Sequence, residues 1–248
     1  MDSVSRTVTA LSVSNVTRNF GGLVAVDAMS FDLAENEVLG LIGPNGSGKT
    51  TMMNLISGAL KPNAGEIRLY RDDITAAPAN AIARLGIART FQIVRMLPSL
   101  SVLENVAAGG VFGHDRRWGP ALTNRAMDVL HQVGLDGSEN NPVSTLTYID
   151  QKRLELARAL ISDPRVLLLD EWLAGLNPTE LQTGFALINE LRAEGRTIII
   201  VEHVMDAIRS LCDRCVVMNS GAKIAEGTPA EVLADAGVIT AYLGDDDA

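Results

Sequence analysis

Apolar and polar residues alternate over LSVSNVTRNF (residues 11–20) and again over AMSFDLAENE (28–37), the two-residue period of strands that cover one face. Two such segments in succession predict an antiparallel β flap. VLGLIG (38–43) follows without alternation, as in a strand buried on both faces, and leads into a glycine-rich loop. Beyond the loop, TTMMNLISGAL places Met53, Leu55, Ile56 and Leu60 at helical spacing, and KPNAG stops that helix before the strand EIRLY. Later VLLLD, TIIIVEH and CVVMNSG each follow a helical stretch, the βα alternation of a largely parallel sheet. Between about Arg95 and Leu160 strand signals vanish and a helical lobe is predicted. Within it PALTNRAMDVLHQV puts Leu122, Ala126, Val129, Leu130 and Val133 on one face, while VFGHDRRWGP (111–120) and LDGSENNP (135–142) read as loops.

A chain of 248 residues with 47% hydrophobic content can bury a full core as one domain carrying an inserted lobe. Its net charge of -9 opposes unspecific nucleic-acid binding, which depends on Lys and Arg displacing counterions from phosphates. The start, MDSVSRTVTA, lacks the apolar stretch of a secretory signal. No run approaches the roughly 18 apolar residues that span a bilayer, so a membrane role is expected to come through partner subunits. Cys212 and Cys215 form a C-x-x-C with no second pair and no nearby His, and read as two reduced thiols. The acidic end GDDDA reads as a solvated tail.

The candidate chemistry lies where the strands end. Gly43, Pro44, Asn45, Gly46, Ser47, Gly48, Lys49 and Thr50 match G-x-x-x-x-G-K-[ST] between a strand and a helix, the context of a phosphate cradle. Glycines let backbone N–H groups converge on phosphates, and the helix N-terminus adds its positive dipole end. Lys49 is expected to reach the β- and γ-phosphates and the Thr50 hydroxyl to ligate Mg²⁺, with Thr51 beside it among the nucleotide contacts. VLLLDE ends an apolar strand with Asp170, suited to hold Mg²⁺, and Glu171, suited to act as general base on water. His203 follows TIIIVE and arrives at the same sheet edge. His114 and His131 carry no assigned chemistry.

In this order the motifs resemble the ABC (ATP-binding cassette) ATPase family over nearly the whole chain: Walker A in GPNGSGKT, a Q-loop glutamine at Gln92 in RTFQIVRMLPSLSVLENV, Walker B in VLLLDE, a D-loop in AGLNP and an H-switch in VEHVM. The finer resemblance is to the cassettes of branched-chain amino-acid importers, through NFGGLVAVDAMSFDL, AGLNPTE, EHVMDAI and AEGTPAEV. The resemblance implies that Phe20 stacks on adenine with Val26 packing nearby. It also implies that Gln92 contacts Mg²⁺ or the lytic water, and that Ile93 to Asn105 carries much of the docking surface for a membrane subunit. The implied cofactors are ATP and Mg²⁺.

The family signature LSGGQ falls on Leu146-Thr147-Tyr148-Ile149-Asp150. It completes the partner cassette's ATP site, a role for which Thr147 keeps a hydroxyl. Ile149 replaces a glycine whose backbone must approach phosphate, so its branched side chain is expected to obstruct that approach. Trp172 stands in place of a proline and Asn177 in place of an aspartate. The expected fold is an α/β P-loop NTPase core with an antiparallel β subdomain (residues 1–92 and 161–248) and an inserted α-helical subdomain (93–160), a single ABC cassette over 1–248. The expected function is ATP hydrolysis coupled to solute uptake, with a second cassette of a different chain, transmembrane permease subunits and indirectly a solute-binding protein as partners. The expected place is the cytoplasmic face of the inner membrane, peripheral, with no nucleic acid bound. Alternatives are a cassette that gates assembly with weak hydrolysis, an importer of urea or amide-type solutes, and a soluble ABC ATPase acting on DNA or ribosomes; the last is disfavoured by the acidic charge.

Overall fold

The computed structural model describes residues 8–92 and 94–243; expectations that fall on the first seven residues, on Ile93 or on GDDDA lie outside them. Two long strands, β1 (Thr9–Phe20) and β2 (Leu23–Ala34), open the chain, followed by β3 (Val38–Ile42), α1 (Lys49–Ile56), β4 (Ala64–Leu69) and β5 (Asp72–Asp73). Then come α2 (Ala79–Leu85), β6 (Ile87–Arg89), α3 (Val102–Phe112), α4 (Gly119–Gln132) and α5 (Tyr148–Leu160). The remainder alternates: β7 (Val166–Asp170), α6 (Pro178–Ala193), β8 (Ile198–Val201), α7 (Met205–Leu211), β9 (Arg214–Asn219), β10 (Ala222–Gly227), α8 (Pro229–Ala234) and α9 (Ala236–Leu243). An antiparallel sheet in the order β2-β1-β4-β5 stands beside a six-stranded sheet in the order β10-β9-β3-β8-β7-β6, whose strands run parallel except for β10.

The unbroken apolar strands are explained by what covers them. Leu167 and Leu169 of β7, with Ile198 and Ile200 of β8, face the core shared with the helical lobe. Their neighbours Leu168, Ile199 and Val201 face a second core, built with Met52, Met53 and Ile56 of α1 and the inner residues of the flap. A strand buried on both sides has no solvent face on which to alternate. The expected α/β core, antiparallel flap and helical lobe are therefore all present.

Several boundaries differ from the sequence pattern. The first helix ends at Ile56, because Gly58 turns back at φ +72° and a Cβ there would meet Ile82 Cδ1 at 2.6 Å; Leu60 lies past the helix. The loop predicted over 111–120 shrinks to 113–118, since α3 continues through Phe112 and α4 starts at Gly119 with Pro120 in its first turn. Cys212 and Cys215 are buried free thiols against Gly40, where an added Cβ would sit 3.0 and 3.1 Å from the two sulfurs.

Candidate nucleotide site

Three chain turns meet at the C-terminal edge of the parallel sheet, where open α/β sheets bind ligands. The first is the loop from β3 to α1. Gly43 (φ +147°) and Gly48 (φ +103°) are pinned by backbone: a Cβ on either would come within 2.0 Å of Met218 O or 2.3 Å of Ala25 O. Gly46 (φ +72°) instead faces open space, so the loop's own curvature leaves a hollow there. Lys49 Nζ donates to the carbonyls of Gly43 and Pro44, both at 2.8 Å, and is 6% exposed. Lysine thus closes the loop into a ring, and its ammonium sits on the cradle.

The second turn follows β7. Asp170 is buried and its Oδ2 accepts from Arg89 at 2.6 Å. Glu171 is held at φ +49°, a left-handed conformation that costs a non-glycine residue roughly 1–3 kcal/mol. Its N–H donates to Val201 O at 2.8 Å, tying it to β8. The third turn follows β8 and brings His203, whose Nε2 lies 2.9 Å from Glu171 Oε1, while Gln92 Nε2 donates to Glu171 Oε2 at 2.6 Å. Gln92 and His203 therefore converge on the Glu171 carboxylate from 79 and 32 residues away.

These turns border a cavity of about 470 Å³ lined by Phe20, Leu23, Val24, Ala25, Asn45 to Thr51, Glu171 and Ser220. Phe20 stands at its rim, 43% exposed, with the Arg18 guanidinium 4.7 Å from its ring centre. Val26 is not part of the lining: its side chain is wholly buried in the flap core, and Leu23, Val24 and Ala25 present themselves beside Phe20 instead. Strand alternation explains the difference, since Val26 points to the opposite side from Ala25.

The signature segment is placed elsewhere. Thr147 caps α5, its Oγ1 accepting from Asp150 N at 3.3 Å and lying 2.6 Å from Asp150 Oδ2, a contact in which the hydroxyl must donate. Ile149 is 9% exposed and packs into the lobe's core, not onto the outer face of the turn as the expected obstruction would require. Trp172 is fully buried and its Nε1 donates to Lys152 O at 2.9 Å, joining the turn after β7 to α5. Lys152, also fully buried, donates to Glu171 O at 3.3 Å. Asn177 caps α6, accepting from Thr179 N at 3.0 Å and Glu180 N at 3.1 Å, work for which asparagine serves as well as aspartate. Arg89, Lys152 and the hydrogen-bonding use of Trp172 were invisible to motif reading.

Glu202 lies behind this turn at 2% exposure and accepts from Leu173 N at 2.7 Å. Burial pushes its carboxyl up to about 7, against the pull of the Leu173 N–H and of Lys152. A folded value above the unfolded one means that Glu202 favours folding most at low pH, and that this contribution is lost as pH rises through about 7. Glu202→Gln keeps the acceptor oxygen and removes the charging. Its urea midpoint is therefore expected to gain on the native chain's between about pH 5 and pH 8. Parallel midpoints across that range would show that Glu202 does not titrate there.

Comparison with known proteins follows the same residues. The ABC transporter family profile matches residues 26–174 and a branched-chain amino acid ATP-binding cassette transporter profile matches 222–248. The chain is 40% identical to the high-affinity branched-chain amino acid transport ATP-binding protein LivG of Salmonella typhimurium, over 95% of this chain and 98% of that one. This chain belongs to the ABC transporter ATP-binding cassettes. An ABC transporter cassette solved in its ADP conformation superposes with a TM-score of 0.89 at 31% identity, covering 96% of this chain and all of the other. A dimeric cassette bound to ADP and Pi after hydrolysis matches with a TM-score of 0.79 at 25% identity, over 88% and 98% of the two chains. The cassette is accordingly an ATPase, with the fold and reaction class expected from the motifs. Among the described residues no helix is long and apolar enough to cross a membrane.

Proposed function

We propose that this cassette drives uptake of branched-chain or closely related amino acids as the ATP-hydrolysing subunit of an importer, peripheral on the cytoplasmic face of the membrane. The observation that carries it is the convergence of Gln92 and His203 on Glu171 at the rim of the cradle cavity. Relatives named for branched-chain amino acid transport supply the solute class.

The residues fit ATP and Mg²⁺. Phe20 offers an exposed ring for adenine, Gly46 faces the hollow a triphosphate requires, and Lys49 brings a cation to it. Thr50, Asp170 and Gln92 offer the hard oxygens Mg²⁺ prefers. The bound metal would neutralise charge developing on the phosphates. Glu171 takes the proton of the attacking water, and His203 and Gln92 hold its two oxygens in place from opposite sides.

A second cassette must close the site, because nothing of this chain's own signature lines the cavity. One observation favours a partner of different sequence: the Thr147 hydroxyl proton is already given to Asp150, whose other oxygen pairs with Arg153 at 3.0 Å, so the hydroxyl is bound within its own chain. The permease subunit docks at the groove between α2, α3 and α5, which is lined by Phe91, Arg95, Phe112, Glu155 and Arg158. Asn105 is excluded from that surface, being buried with its amide bonded to Leu97, Leu100 and Ser101 carbonyls. Over 94–105 the exposed residues are Arg95, Leu97, Pro98, Ser99 and Glu104.

In vesicles holding the complete importer, leucine is expected to raise ATP hydrolysis and to accumulate. Stimulation by urea without leucine would overturn the solute class. Joint replacement Arg95→Glu with Leu97→Glu is expected to leave the cassette in the soluble fraction with its nucleotide affinity intact. Continued membrane recovery of that variant would place docking elsewhere.

A further inference from the structure

Arg89 sits on the last residue of β6, next to β7, and its side chain is 6% exposed. One arm of the guanidinium donates to Asp170 Oδ2 at 2.6 Å. The other donates to Asn54 Oδ1 at 2.8 Å and Ser57 Oγ at 3.1 Å, at the end of α1. The Phe91 ring covers the group, 5.2 Å from ring centre to guanidinium carbon. The same helix carries Thr50 in its first turn, and β7 carries Asp170 at its tip. Two of the three groups offered to the metal, Thr50 and Asp170, thus stand on elements that one side chain spans.

We propose that Arg89 is a positioning residue for the metal half of the site: its forked guanidinium fixes Asp170 against α1 and so sets the spacing between the Asp170 carboxylate and the Thr50 hydroxyl. A planar fork with two fixed directions can hold two elements in register, whereas an ammonium offers a single point of charge. A merely neutralising cation would have no use for Asn54 and Ser57. Asn54 sits in the last turn of α1 and Ser57 caps it, so the pattern is that of a strut. Partners that orient a metal ligand from behind usually cost about 10- to 100-fold in metal affinity when removed. The phosphate cradle lies at the opposite end of α1 and does not touch Arg89, which separates metal binding from phosphate binding.

The proposal rests on the reading of Thr50 and Asp170 as Mg²⁺ ligands, and the test distinguishes the two. Affinity for a fluorescent ATP analogue is measured on the full chain in EDTA and across a Mg²⁺ series, for the native protein, Arg89→Lys, Asn54→Ala and Asp170→Asn. Arg89→Lys keeps a cation beside the buried carboxylate, and Asn54→Ala leaves the ion pair untouched, so folding is preserved in at least one of them. The expected result is EDTA affinity within about twofold of native, with the half-effective Mg²⁺ concentration raised about tenfold in Arg89→Lys and by a smaller factor in Asn54→Ala. Unchanged or lowered Mg²⁺ requirements in both variants, with Asp170→Asn still losing the Mg²⁺ effect, overturn the role of Arg89 alone. Equal losses in EDTA and in Mg²⁺ overturn it too, since they mark a general structural part. A Mg²⁺ effect that survives in Asp170→Asn overturns the metal reading and the strut with it.

Discussion

Glu171→Gln is expected to bind ATP as tightly as the native cassette and to lose most of its turnover. The substitution leaves the cradle alone: Gly43 to Thr51 and Lys49's bonds to the Gly43 and Pro44 carbonyls are made without the carboxylate. An amide of the same shape keeps one oxygen for Gln92 or His203 but has no basic lone pair for a water proton. Loss of a general base costs roughly 10²- to 10⁴-fold in rate. The partners of Glu171 sharpen the expectation, because a carboxylate held by two neighbours at 2.6 and 2.9 Å has little freedom to be replaced by another group. Equilibrium nucleotide binding beside single-turnover hydrolysis in the assembled transporter measures both halves. Turnover within tenfold of native would remove Glu171 from the role of base.

The part of this site that was legible in the sequence is the part written in consecutive residues. GPNGSGKT declares itself because the strand before it and the helix after it are local, and VLLLDE because a doubly buried strand must be apolar until it reaches the sheet edge. His203 was placed by the same reasoning, from the end of its own strand. Arg89 was not, since its three partners lie 81, 35 and 32 residues away and nothing in IART marks a strut. The three-residue strand β6 that carries it is too short for periodicity to show. Val26 differs: its place beside adenine came from resemblance alone, while the alternation of β2 turns Ala25 toward the cavity and Val26 into the flap core. The roles of Trp172 and Asn177 depend on tertiary partners, Lys152 in one case and the first turn of α6 in the other.

Ile149→Gly is expected to destabilise the cassette and to leave its hydrolysis rate no faster, the reverse of what a glycine in the signature suggests. Ile149 is the second residue of α5, and helical geometry there turns its side chain inward, against the lobe's core. Removing a buried isoleucine side chain costs about 2–5 kcal/mol in cavity and transfer free energy, and glycine in a helix adds up to about 1 kcal/mol. A loss of roughly 2–6 kcal/mol is a large share of the 5–15 kcal/mol that holds a domain of ordinary stability. The backbone N–H groups of the first turn are unaffected by what points inward, so a phosphate arriving from a partner gains nothing from the glycine. What faces outward at that turn is Thr147 with its hydroxyl bonded to Asp150, and Asp150 with Arg153 at 3.0 Å. Charge on that surface is shared between Asp150 and Arg153, and the Ile149 side chain lies in the core behind it. Urea midpoints beside the hydrolysis rate of the purified cassette separate the two. A faster enzyme with an unchanged midpoint would return the obstruction to Ile149, and a lower midpoint with no gain in rate assigns that residue to the core.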